Sequence, residues 1–316
     1  STRITSVEDT DITGIINNSN SGGTITIDDS TINGTITNVG SSTITNTNIS
    51  YIYNQYNDSQ MINNSGNMKL ENNTLIYKSV YNSNDETSVI NVKNISTLTS
   101  INNKYTTIYD NNDKKYKSIR GIQNTGILTS TNDEFETYGG KYGYAIYNNS
   151  SMDANVSNIK INVHDNTTGT GILVSSGNIT MSSELVNVHD NTTSRVSYIS
   201  GGILTIESGR FTATGTNSYG VFMTSGTLNL GIEDGRGTDA ADVSTTNPYI
   251  SAIGTQTGIG ISMGNGTFNY YDGYITGSTS ARAQGDITSS TDKNYQVVTR
   301  IDENTGYEYC ILEFIH

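Results

Sequence analysis

A short motif recurs along this 316-residue chain, and it restricts the fold more than any other feature. A Gly or Ser is followed by apolar residues two, four and nine positions later. From Gly66 these are Met68, Leu70 and Leu75; from Gly177, Ile179, Met181 and Val186; from Gly202, Leu204, Ile206 and Phe211; from Gly266, Phe268, Tyr270 and Ile275; from Gly23, Ile25, Ile27 and Ile32. Self-similarity at a period of about two dozen residues marks a stacked repeat. Positions +2 and +4 alternate with polar neighbours, which is the period of a strand with one face inward. Position +9 faces inward again from a second strand. A third apolar patch precedes each new start: Ile146, Leu173, Tyr198, Val221 with Met223, and Ile259 with Ile261. Three short strands per coil are expected, with coils stacked about 4.8 Å apart so that each pairs with the next.

Motif starts are read at Gly23, Ser42, Gly66, Ser88, Gly126, Met152, Gly177, Gly202, Gly226 and Gly266, about ten rungs. The steps from 88 to 126 and from 226 to 266 are long, so loop insertions are expected near 110–117 and 233–246. The segment from Tyr295 to Phe314 alternates without repeating. It reads as a closing hairpin turning at Asn304-Thr305-Gly306. The expected architecture is all-β: a single-stranded right-handed parallel β-helix over 1–294 and a C-terminal capping hairpin over 295–316. Gly and Asn are expected at its corners, where the backbone needs positive φ, and stacked Asn side chains can hydrogen-bond along the axis.

Composition narrows the function classes. The chain is rich in Ile, Thr and Tyr, which are strand residues, and its single Pro suits uninterrupted ladders. A net charge of −13 with only 17 Lys and Arg argues against nucleic acid as a partner. One cysteine, Cys310, excludes an intrachain disulfide framework. No apolar run is long enough for a membrane-spanning helix. The start at Ser1 is expected to be that of a processed or truncated form.

The segments YGVFMTSGTLNLGIEDG (Tyr219 to Gly235), GNGTFNYYDGYITG (Gly264 to Gly277) and the tail NTGYEYCILEF resemble right-handed parallel β-helix proteins of the pectin-lyase-like kind. More narrowly, they are similar to repeat-rich, adhesin-like surface proteins of low-GC Gram-positive gut bacteria. The resemblance implies an extracellular or cell-surface protein and transfers no catalytic residue.

Candidate chemistry is sparse. The Gly-His-Gly signature of polygalacturonase relatives is absent, and so is the Trp-containing signature of pectate lyases, since the chain has no Trp. No catalytic residue is assigned and an enzyme is not expected. VHDNTT occurs at Val163 to Thr168 and again at Val188 to Thr193, one coil later. His164 would then stack over His189, a pair able to bind a transition metal or, more plainly, a duplicated corner. The loop EDGRGTDAAD offers Glu233, Asp234, Asp239 and Asp242 as oxygen ligands for calcium, the one cofactor considered. Tyr271 and Tyr274 are candidate sugar-stacking rings, whereas Tyr270 should face inward. A Thr-based ice-binding face is disfavoured, because the outward +3 column reads Thr26, Lys69, Asn91, Thr129, Thr180, Thr205, Asn229 and Asn269.

The expected function is that of a secreted or surface-displayed adhesin-like or structural protein. Its partners would be host or bacterial surface glycans or proteins. The alternatives are a self-assembling homo-oligomer, fibre or surface layer, and a carbohydrate-active lyase or hydrolase or tailspike-like protein.

Overall fold

The computed structural model describes residues 4–53, 59–80, 88–110, 118–233, 248–283, 290–291 and 294–315. These residues form a parallel β-solenoid of about eight turns, with no helix. The turn count is slightly below the ten rungs expected.

Three strand-bearing faces surround one core. On the first face, Ile27, Ile44, Leu70, Ser100, Ser130, Val156, Met181, Ile206, Leu230 and Tyr270 stack in register. On the second, Ile32, Ile49, Leu75, Tyr105, Phe135, Ile161, Val186, Phe211, Ile250 and Ile275 do the same. These two columns are the +4 and +9 positions of the motif. Every aliphatic or aromatic member is buried, so each contributes about 1.5–3 kcal/mol by leaving water. Their continuity from coil to coil makes the core one body rather than a series of patches.

The glycine at the head of the motif has a steric cause. A Cβ on Gly66 would lie against the carbonyl oxygen of Gly40, and one on Gly126 against that of Ser96. Successive coils turn this corner with their backbones nearly touching, which favours a residue without a side chain.

The register corrects several starts. Thr97–Ile101 pairs with Asn67–Glu71 below it and Ile127–Thr131 above it. The true start is therefore Ser96 rather than Ser88, and the chain takes two 30-residue steps, 66 to 96 and 96 to 126. The segment after Ser88 belongs to the third face, where Val92 pairs with Ile62 and Ile122. Apolar alternation at Ile90 and Val92 imitates the motif, which is why it misled. Similarly, Ser41–Thr45 aligns with its neighbours when counted from Gly40, not Ser42. The outward +3 column consequently runs Thr26, Thr43, Lys69, Thr99, Thr129, and Asn91 is not in it but buried. The expected insertions fall on 111–117 and 234–247, which lie outside the described residues.

Asparagine ladders line two corners. Between the third and first faces, Asn18, Asn38, Asn64, Asn94, Asn124 and Asn148 are buried one above another. Each Nδ2 donates to the next Oδ1, at 2.9, 2.9, 2.9, 2.7 and 2.7 Å in turn. Buried amides are tolerated here because each donor meets an acceptor one coil on. Between the first and second faces, Asn46, Asn72, Asn102, Asn132 and Asn158 all adopt left-handed φ between 49° and 57° and form a second, exposed ladder. Asn is among the few non-glycine residues that accept this conformation readily.

At the C-terminal end, Tyr295–Ile301 and Glu308–Phe314 form an antiparallel hairpin. Its second strand pairs antiparallel with Tyr274–Gly277 and covers the last coil. Buried Tyr270 donates to the carbonyls of Gly273 at 2.8 Å and Cys310 at 3.0 Å, tying the core to this hairpin.

Candidate functional site

The solvent side of the third face carries an aromatic and cationic strip. Each third-face strand bends where two successive residues turn inward: Ala145 and Ile146, Val196 and Ser197, Gly220 and Val221. The bend places the residues before and after it, three apart in sequence, on the outside. One column reads Arg120, Tyr144, Thr170, Arg195, Tyr219, Ile259, of which Thr170 is fully buried. The next reads Gln123, Tyr147, Leu173, Tyr198, Phe222, Ser262, of which Leu173 is buried. At the strand spacing, the strip is about 24 Å long.

Its side chains hold one another in place. Tyr198 meets Phe222 edge-on at 5.5 Å between ring centres, and Tyr219 meets Phe222 at 5.1 Å. The Arg195 guanidinium lies 4.6 Å from the centre of the Phe222 ring and 5.2 Å from that of Tyr198. Arg120 lies 4.4 Å over Tyr147 and donates to Gln123 Oε1 at 2.6 Å. These are cation–π contacts, worth about 0.5–2 kcal/mol each. Partial burial pushes the Arg195 pKa down, and its Nε has no hydrogen-bond partner among the described residues. Burial also pushes the Tyr144 hydroxyl up. Neither column contains an Asp or Glu, in a chain that carries 30 of them. Rigid aromatic faces and cations, free of carboxylates, suit a polar ligand with apolar faces.

The spacing places Leu173, Tyr198 and the pair Ile259 and Ile261 in the core. Leu173 and Ile261 are buried, but Tyr198 and Ile259 are only half-buried, because the bends shift the phase by one and turn Ile199 inward in place of Tyr198. A signal was present: pairs three apart, Tyr144 with Tyr147, Arg195 with Tyr198 and Tyr219 with Phe222, at near-constant coil intervals.

The residues singled out from sequence are dispersed. Tyr274 is stacked on both sides, by Tyr249 at 5.4 Å and Tyr309 at 5.1 Å, and burial drives its pKa up to about 12. Tyr271 is half-buried and, with Glu233 and Glu207, lines a groove of about 330 Å³ on the first face. Asp234, Asp239 and Asp242 lie outside the described residues. His164 and His189 do stack, 5.2 Å apart, with Tyr138 below them at 4.9 Å. Their Nδ1 atoms bond the adjacent carboxylates of Asp165 at 2.8 Å and Asp190 at 2.6 Å, and His189 Nε2 bonds Asn162. Among the described residues no group of three or more His, Cys, Asp or Glu is placed to hold a metal ion. On the second face Glu134 and Glu136 line another groove of about 330 Å³. Lys160 bonds Glu134 at 2.9 Å and holds its pKa down, opposite to the shift a general acid requires.

Comparison with protein families, with curated proteins and with solved structures returns no match.

Proposed function

We propose that this chain is an adhesin-like solenoid, secreted or displayed at a cell surface, that binds glycans along the outer side of its third face. The observation that carries this reading is the strip itself: ring faces and guanidinium groups, in mutual contact, on successive coils of a parallel β-solenoid. Aromatic faces suit the apolar faces of pyranose rings, and arginine suits hydroxyl, carboxylate or sulfate oxygens. A solenoid repeats such positions coil by coil, which fits an extended ligand better than a compact one.

The test is binding of the purified chain to a broad glycan array, with and without calcium. Reproducible binding to one glycan family is expected, weakened about tenfold or more by Arg195→Ala or Phe222→Ala, a loss of about 1.4 kcal/mol. Circular dichroism should show both variants folded. Loss of binding on chelation would implicate the loop from Glu233 to Asp242. Absence of binding, or unchanged binding by both variants, overturns the reading in favour of a structural or self-assembling role.

A further inference from the structure

Beside the strip, at the corner between the second and third faces, lies a cleft of about 810 Å³. Its origin is a difference in coil length. From Val188 to Asn191 the chain takes three steps where the next coil, Ala213 to Gly215, takes two. From Gly254 to Thr257 the coil above again takes three steps against two, Gly215 to Asn217. The middle coil is therefore short by one residue relative to both neighbours. It sits recessed between them, and the bulges above and below form two walls. Tyr307, in the turn of the capping hairpin, supplies a third side.

The lining is polar and specific. Asp190 has a side chain 74% exposed and a left-handed φ of 53°. One carboxylate oxygen accepts a 2.6 Å bond from His189 Nδ1. His189 is itself fixed by its stack on His164 and its Nε2 contact with Asn162. The other Asp190 oxygen has no partner among the described residues. Thr192 and Thr216 contribute hydroxyls, and Gly215 leaves the floor bare of side chains. Ile253 is 40% exposed at the edge.

We infer that this cleft is a binding subsite for a neutral hexopyranose unit. An oriented carboxylate accepts two vicinal hydroxyls, threonine hydroxyls donate or accept as needed, and the Tyr307 ring covers an apolar sugar face. The volume is within the usual range for small-ligand sites, about 300–1,000 Å³. The Asp190 charge disfavours an acidic sugar at this point, in contrast to the carboxylate-free strip nearby. Thr216 and Tyr219 are three residues apart, so a glycan seated on the strip reaches the cleft with its end residue. This rests on the glycan-binding reading of the strip for the extended ligand, but the cleft is testable without it.

The probes are the methyl glycosides of glucose, galactose, mannose and N-acetylglucosamine, followed by saturation-transfer NMR on the full chain. Millimolar binding of at least one is expected. Asp190→Asn, which keeps the left-handed backbone accessible, and Tyr307→Ala, in the hairpin turn, should each weaken it about tenfold or more. Thermal midpoints establish that both variants fold. Phe222→Ala should leave monosaccharide binding unchanged while weakening the extended glycan, which separates the cleft from the strip. Failure of all four glycosides to bind overturns the inference, as does binding that neither cleft variant alters. Loss of extended-glycan binding alone would leave the cleft standing.

Discussion

The same corner of the solenoid is built in two ways. In the N-terminal half its buried column is Asn38, Asn64, Asn94, Asn124, Asn148, each bonded to the next. From Val174 onward the column becomes Ile199, Met223 and Met263, all buried and apolar. A ladder of amides fixes register, since a shifted coil would strand donors; an apolar stack fixes volume alone. The outer side of the third face changes along the same direction. On most ladder coils it is polar, as at Asn63, Lys93 and Gln123, with Arg120, Tyr144 and Tyr147 appearing on the last two. Where the interior turns apolar, the outer side bears Arg195, Tyr198, Tyr219 and Phe222, and a one-residue difference between neighbouring coils opens the cleft. The cleft and the aromatic cluster around Phe222 both lie on the coils with the apolar column.

The largest test of this contrast concerns two buried carboxyls in one column between the first and second faces. Asp133, in the amide-ladder half, accepts bonds from Asn103 N at 2.7 Å, Asn103 Nδ2 at 3.2 Å and Ser130 Oγ at 2.6 Å. Burial still raises its pKa. Glu184, two coils on, accepts from Ser182 N at 2.6 Å, while its Oε2 has no partner. Burial pushes it from 4.5 up to about 8. The folded state thus keeps a proton that the unfolded chain has already released. The Glu184 contribution is fully present below pH 4.5 and is lost as pH rises toward 8. Between those limits the linked loss is on the order of 5 kcal/mol, and Glu184→Gln should remove the slope. Urea unfolding as a function of pH reads it directly; a flat profile in the wild type would refute it.

Second in size is Asn94→Val, which installs the residue type that the C-terminal half uses at this column. It strands one Asn64 N–H in the interior and leaves Asn124 Oδ1 with only the Gly126 N–H at 3.3 Å, at a cost of about 2–3 kcal/mol by chemical denaturation. If valine were neutral there, the ladder would be a by-product of composition. Met223→Ala, in the apolar stretch, should cost about 2 kcal/mol through its cavity and leave no polar group unpaired. The smallest effect belongs to the exposed ladder. Asn102→Ala at φ 56° should cost about 1 kcal/mol, and Asn102→Gly less. Equal loss from both would assign the cost to the side-chain bonds instead of the backbone.

The motif made the first two faces legible, because Leu204, Ile206 and Phe211 obey strict alternation within each strand. The third face was not legible in the same way. Its strands bend at pairs such as Val196 and Ser197, and a period of two fails across a bend. That single phase error sent Tyr198 and Ile259 into the core and hid the strip. Ser88 was misread for a related reason: Ile90 and Val92 fit the spacing, and only pairing with Ile62 and Ile122 separates the faces. The cleft has no local signature at all. It arises from a one-residue difference between coils together with Tyr307, which comes from the hairpin about fifty residues beyond Gly254.

The measurement that bears most directly on the central proposal is hydroxyl-radical footprinting of the chain with and without its best array glycan. The tyrosine and phenylalanine rings report their own faces. Tyr147, Tyr198, Tyr219 and Phe222 should be protected on binding, while Tyr249 and Tyr274 on the second face keep their reactivity. Protection confined to the second face, or to Tyr271 on the first, would contradict binding along the third-face strip.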